Sequence, residues 1–257
     1  MAPFFSLFMV LSNLSLNCNG IRDQSKRNGL LQWLRSLPVS VDIVCLQETH
    51  CVSVAQCSSW FRPSGFDSVV SGSFTHSCGC IVLFHPTVSL VNSWCDSQFL
   101  QCEFSYSAKS FWVCCIYGPN CNPARDLFLD NLHSEIDPLI PTILAGDFNS
   151  VFNHALDCFG SDPSDSSRES STSLLSLFDS CCVINIWRYL HPNASGFTWT
   201  RWNGALASHI DLFGVPYVWV PSVSSCDIVP CPFSDHCAVL LSVVVPDVVP
   251  PGPGLWE

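Results

Sequence analysis

Residues 143–153 read ILAGDFNSVFN. Ile143, Leu144 and Ala145 form a short apolar run of the kind that makes a buried strand, and Gly146 closes it. Asp147 and Asn149 follow at once, on either side of Phe148. An acid or amide after a strand ordinarily forms only a turn, because its side chain bonds its own backbone. Here charged residues make up 12% of the chain, about half the ~25% of ordinary soluble domains. Two polar groups at the mouth of such a core call for a chemical reason.

The same design recurs along the chain. LSLNCNG (14–20) ends in Asn17 and Asn19, and DIVCLQETH (42–50) ends in Gln47, Glu48 and His50. VCCIYGPN (113–120) ends in Tyr117 and Asn120, ASHIDLF (207–213) holds Ser208 and Asp211, and FSDHCAVLL (233–241) opens with Ser234, Asp235 and His236. If these strand ends share one rim, they make a concave polar site above an apolar core. Glu48 is a hard oxygen donor suited to Mg²⁺, which keeps several waters and needs only one or two carboxylates. Asp235 supplies a second acid near the metal. Asp147 would orient and help deprotonate an attacking water. Asn149 and Asn17 are neutral donors that hold phosphate oxygens without repelling them. His236, oriented by Asp211, would meet the charge that develops. Together these roles amount to hydrolysis of a phosphate ester.

Working outward, strands are expected at 7–16, 42–46, 67–71, 79–84, 88–94, 99–105, 111–117, 142–146, 197–202, 209–213 and 236–245. Helices are expected at 24–37, with Leu30, Leu34 and Leu37 on one face, at 123–136, with Ala124, Phe128 and Leu132, and at 171–180, with Leu174, Leu175 and Phe178. Strands outnumber the helices spaced between them. That pattern suits an α/β sandwich of two sheets packed face to face, with helices outside. The domain is expected to span 1–246. The Pro/Gly-rich tail 247–257 reads as an extended exit linker, and DCFGSDPSDSSRESST (157–172), with four acids and one Arg, as an exposed loop.

Ten basic against twenty-one acidic residues give a net charge of −11. No broad basic face can be assembled, so a phosphate substrate needs a divalent cation to reverse the local sign. Seventeen cysteines are an odd number, and many lie inside apolar runs, among them Cys45, Cys114, Cys115 and Cys237. They read as small buried hydrophobes kept reduced, and without a C-x-x-C pair they do not suggest zinc. The opening MAPFFSLFMVLSNLSLN lacks a positive start, the first basic residue being Arg22. No later apolar run reaches the ~20 residues that span a bilayer. The expectation is an intracellular protein without a membrane partner. Trp199, Trp202 and Phe197 read as core or rim packing rather than base contacts.

The segments LNCNGIRD (16–23), CLQETH (45–50), IYGPN (116–120), AGDFN (145–149), SHID (208–211) and SDHCAVLL (234–241) resemble the endonuclease/exonuclease/phosphatase superfamily. They are most similar to the endonuclease domain of LINE-type non-LTR retrotransposons, in the same order and across nearly the whole chain. The resemblance implies a four-layer α/β sandwich with two mostly antiparallel sheets. It also implies dependence on Mg²⁺, with Mn²⁺ as a substitute, and nicking of double-stranded DNA to leave a 3′-hydroxyl that primes reverse transcription. By position, Glu48 matches the metal-binding Glu, and Asn17 and Asn19 match the first motif, with Asn19 where repair relatives often have Asp. Tyr117 and Asn120 match the phosphate pocket, and Asp147 and Asn149 the pair at the water and scissile phosphate. Asp211 and His236 match the acid–histidine pair, with Asp235 before the histidine. Thr198, in FTWTRW (197–202), matches a DNA-contacting position.

Two features depart from the pattern: His209 stands where a basic residue usually follows Ser208, and Lys26 and Lys109 are the only lysines. GPGLW (252–256) is similar to the linker after the endonuclease in LINE polyproteins, which implies a reverse transcriptase region as the continuing partner. A monomeric domain that is nuclear when acting on DNA follows from the same resemblance. Two other readings stand beside it: an abasic-site repair nuclease of the same superfamily, and a catalytically silent, retrotransposon-derived binding domain.

Overall fold

A computed structural model describes residues 10–51, 53–71, 79–96, 98–160 and 171–246. The strands are β1 (Val10–Asn17), β2 (Ile43–Gln47), β3 (Asp67–Val70), β4 (Ile81–Phe84), β5 (Ser89–Cys95), β6 (Phe99–Tyr106), β7 (Lys109–Tyr117) and β8 (Thr142–Asp147). They continue with β9 (Cys158–Phe159), β10 (Val183–Asn185), β11 (Trp199–Thr200), β12 (Ala207–Ser208), β13 (Asp211–Pro216), β14 (Val223–Val229) and β15 (Ala238–Val244). The helices are α1 (Gln24–Ser36), α2 (Val54–Phe61), α3 (Asn122–Leu132), α4 (His154–Asp157), α5 (Thr172–Ser180) and α6 (Ile186–Leu190).

Two six-stranded sheets form, in the orders β14-β15-β1-β2-β4-β3 and β10-β13-β8-β7-β6-β5. Only β1–β2 and β7–β8 are parallel pairs within them, so both sheets are mostly antiparallel. A small third sheet has the order β11-β12-β9.

Alternation along each strand explains the layers. Leu11, Ile43, Val113, Cys115, Ile143, Ala145, Phe213, Leu241 and Val243 share the core between the sheets. Their neighbours Leu14, Leu16, Val44 and Leu46 face outward and pack with Leu30 and Leu34 of α1 and Phe61 of α2. On the other sheet Cys114, Ile116, Leu144 and Leu212 pack with Leu129 of α3 and Leu174 and Phe178 of α5. This makes the four layers helix, sheet, sheet, helix. Counting on by twos, Asn17, Gln47, Tyr117, Asp147 and Asp211 fall on the inter-sheet face at one common end. The polar rim is thus the last step of an apolar alternation.

Helix ends follow local chemistry. Asp23 caps α1 by accepting from Lys26 N at 2.8 Å, and α1 stops before Pro38. Ser53 and Ser171 cap α2 and α5 in the same way.

Several expectations change. Helix α3 buries Arg125, Leu129 and Leu132 rather than Ala124, and its final residues 133–135 form a 3-10 turn. Helix α5 buries Leu177 in place of Leu175, which is exposed. Strand β14, with its half-exposed VSSCDIV, and helix α2 have no counterpart among the expected elements. The strand expected at 197–202 shrinks to two residues. Cys51 and Cys57 form a disulfide, whereas every cysteine was expected to be free; Cys45, Cys114 and Cys115 are free and fully buried. Asp157, expected on an exposed loop, is buried and paired with Arg188. Residues 161–170 of that loop, the start of the strand expected from residue 7, and the exit segment 247–257 lie outside the described residues. Among the described residues no helix is long and apolar enough to cross a membrane.

Candidate active site

A cavity of about 390 Å³ opens at the strand ends and is lined by Asn17, Asn19, Glu48, Asn120, Asp147, Asn149, Ser208, Asp235 and His236, together with Trp199. Asp147 is the buried floor. Its Oδ2 accepts from Asn17 Nδ2 at 2.8 Å and its Oδ1 from the Asn149 backbone N–H at 2.9 Å. Asn149 is held in turn by its own amide, which donates to Gly118 O at 2.8 Å. Gly118 has to be glycine, since a Cβ there would stand 2.4 Å from Phe148 O.

His236 approaches from the facing sheet. Its Nδ1 is 2.8 Å from Asp211 Oδ2, which leaves Nε2 directed at the floor, 4.0 Å from Asp147 Oδ2. Thr198 and Ser234 do not line the cavity; they hold its parts. Thr198 is 1% exposed, and its hydroxyl accepts from the backbone N–H groups of Ile210 and Asp211, so it anchors Asp211 rather than reaching outward to DNA. Ser234 donates to Asn17 O at 2.7 Å and accepts from His236 N at 3.1 Å, tying β1 to the histidine loop. Tyr117 is buried beside the floor, opposite Asp147 in the β7–β8 register.

Asp235 Oδ1 accepts from Asn19 Nδ2 at 2.9 Å, and its Oδ2 accepts from the indole N–H of Trp199 at 3.1 Å. Trp199 is therefore part of the site, although its sequence context suggested only packing. The available signal was its place next to Thr198 and two residues upstream of Arg201. Arg125 is a second unforeseen member: buried, it donates to Asn120 O and Asn122 Oδ1 and stiffens the turn that carries Asn120. His209 does not present a cation to a ligand. It is 1% exposed, packed at a tilt of 33° against Trp187 with ring centroids 4.6 Å apart, and bonded to Gly196 O.

Backbone conformation marks the same rim. Asn19, Glu48, His50 and Asn149 all take positive φ, between 45° and 56°. Asn and His enter that region readily, whereas Glu48 does so at a cost that surrounding contacts must outweigh. Here Gly20 N donates to Glu48 O at 2.7 Å, locking the Asn19 and Glu48 turns together.

The electrostatics follow from burial and proximity. Burial, then the Asp211 carboxylate, push Asp147 up to about 7 against the pull of His236, Asn17 and Asn149. Burial pulls His236 down, but the charge and hydrogen bond of Asp211, with Asp147 and Asp235, outweigh it and raise the imidazole to about 9. Burial tends to raise Asp235, yet its bond to Asn19, the charge of His236 and the bond to Trp199 hold it below the usual carboxylate value.

Two groupings could hold a cation. Asp147, Asp211 and His236 bring ligand atoms within 4.8 Å of one another. In that group His236 Nδ1 is already taken by Asp211 at 2.8 Å, while its Nε2 faces Asp147 Oδ2 across 4.0 Å without a hydrogen bond. Glu48, Asn19 and Asp235 offer only oxygens on the open side of the cavity, and the nearest recorded partner of Glu48 is His50 Nε2 at 3.6 Å. An all-oxygen set with a low-lying carboxylate fits Mg²⁺ better than a nitrogen-containing one.

With this geometry in view, the Endonuclease/Exonuclease/phosphatase family matches residues 14–236, which include every residue of the cavity. The chain belongs to this family. A transposon TX1 uncharacterized 149 kDa protein of Xenopus laevis is 27% identical over 94% of the chain, which spans 19% of that relative's length. Among solved structures, an AP endonuclease from Archaeoglobus fulgidus superposes with a TM-score of 0.74 at 18% identity, covering 93% of this chain and 100% of that one. The AP endonuclease LMAP of Leishmania major gives 0.72 at 17% identity, covering 92% and 88%. At these identities the likeness is one of fold.

Proposed function

We propose that the chain is a Mg²⁺-dependent phosphodiester hydrolase, a DNA endonuclease that nicks one strand and leaves a 3′-hydroxyl as part of a transposon-encoded protein. The relay Asn17–Asp147 facing His236–Asp211 across one small cavity is the observation that carries the reading. Asp147, raised to about 7 and anchored on both oxygens, is suited to orient a water and accept its proton near neutral pH. His236, turned by Asp211 so that Nε2 faces the floor, places positive charge where charge builds on the phosphate. Asn149, Asn17 and Asn120 are neutral donors for the phosphate oxygens. Glu48, Asn19 and Asp235 would hold the cation, which when bound polarises a phosphate oxygen as a Lewis acid.

Nicking of supercoiled plasmid by the purified chain, with and without Mg²⁺, and mapping of the cut ends test this directly. Asp147→Ala and His236→Ala should each abolish Mg²⁺-dependent nicking; activity surviving both would refute the site. The AP endonuclease structures favour a second reading, cleavage beside abasic sites. A preference for abasic over intact duplex would select it, and equal or better nicking of intact duplex would select the first reading.

A further inference from the structure

A groove of about 780 Å³, away from the catalytic cavity, runs between α1 and α2. Its lining contains no carboxylate, in a chain with twenty-one acids and a net charge of −11. Instead it presents Arg27 and Arg35, the amides of Gln24, Asn28 and Gln32, and Trp60. Arg22, Lys26, Arg27, Arg35 and Arg62, half of the ten basic residues in the chain, lie on or beside these two helices.

Two further observations say what that groove would bind. The Arg27 guanidinium lies 4.2 Å from the Trp60 ring centroid and also donates to Ile21 O and Arg22 O, so a planar cationic–aromatic pair is held in place before any ligand arrives. Lys26, on the first turns of α1, donates to Asn19 O at 2.7 Å, and Asn19 lines the catalytic cavity. Lys26 thus ties to the rim of the cleft the same helix, 13 residues and roughly 20 Å long, whose Gln24, Arg27, Asn28, Leu31, Gln32 and Arg35 line the groove. Guanidinium groups suit phosphates, the Arg–Trp pair suits the face of a base, and amides suit base edges. Duplex bases are already stacked and cannot use Trp60.

We propose that the α1–α2 groove is a second nucleic-acid site, taking a single strand of DNA or RNA that passes the catalytic rim at Lys26. It does not require the cleft itself to be catalytic. The test is fluorescence anisotropy of the whole chain with labelled dT20 and rU20 in EDTA, against polyglutamate as an acidic polymer without bases. The double variant Arg35→Glu/Arg62→Glu should weaken binding at least tenfold and flatten the slope of log K against log salt by roughly 1.4, about 0.7 per lost phosphate contact. Trp60→Leu, checked for folding by thermal melting, should weaken it by about fivefold or more. Tighter binding of dT20 or of rU20 names the natural strand. Unchanged affinity in the charge-reversed variant, or polyglutamate binding as tightly as the oligonucleotides, would overturn the site. Plasmid nicking measured in parallel separates the two ideas. Binding without nicking sinks only the nuclease reading, and nicking without single-strand binding sinks only this one.

Discussion

His236 lies between Asp211 and Asp147 with almost no solvent, and its proton is a feature of the fold as much as of any chemistry. Its folded value, about 9, stands above the ordinary 6.5, so the stabilisation it brings is complete below 6.5 and fades as pH climbs through 9. Asp147 acts in the same direction: raised to about 7, it favours the protonated form on folding, a preference lost as pH rises through 7. Urea unfolding in EDTA should therefore show lower stability at pH 9 than at pH 6, by on the order of 4 kcal/mol. His236→Gln should flatten most of that slope. A second consequence concerns Asn17, whose hydrogen bond favours the Asp147 carboxylate. In Asn17→Ala the acid limb of the pH–rate profile should move to higher pH, and an unmoved limb would remove Asp147 from the role of base. The types and order of these residues could be read in the sequence. That Thr198 and Ser234 brace the site rather than touch substrate could not, since a hydroxyl's partner is set by chain segments far away in sequence.

At the scale of elements, the short hairpin β11–β12 and the packed pair β7–β8 behave oppositely. Trp202, in the turn between β11 and β12, is 93% exposed, on the hairpin whose Trp199 lines the cavity. A lone indole that packs on nothing is available to stack on or wedge between bases. Trp202→Ala should leave the melting temperature within a degree or two of the parent while raising the KM for duplex DNA several-fold; equal KM values would show the ring to be idle. On β8, a Cβ at Gly146 would stand 2.0 Å from the Ile116 carbonyl oxygen of β7. Gly146→Ala should cost about 3 kcal/mol in unfolding experiments, at the upper end for overpacking, because neither strand of the core can retreat. Strands were legible by alternation where one face is buried, while β14, an edge strand with polar and small residues, was not. Helix existence was legible from caps and spacing. The rotation of α3 and α5 was not, because a turn of one residue decides which side chain meets the sheet, and only the packed partner sets that.

For the whole molecule, charge is the governing quantity. With a net charge of −11, Arg125 buried and Arg188 paired to Asp157, few cations remain for duplex contact near the cleft. The salt dependence of plasmid binding should be shallow, with a log–log slope no steeper than about −4, as expected for roughly four phosphate contacts. A slope near −8 would mean a basic surface not visible in this fold. The sequence by itself determined that strands form and that their ends carry acids, amides and histidines, and its net charge of −11 led to the expectation of a cation for a phosphate substrate. Only the tertiary structure decided which faces meet. Two sheets had to stack before Asn17 could bond Asp147 across 130 positions and Asp211 could turn His236 toward it. The same packing put Arg27 and Arg35 in one groove with Trp60, and Trp199 on the rim. The physical reason is range: propensity and capping act over a few residues, whereas a site assembled from both sheets depends on contacts that exist only once the core between them has closed.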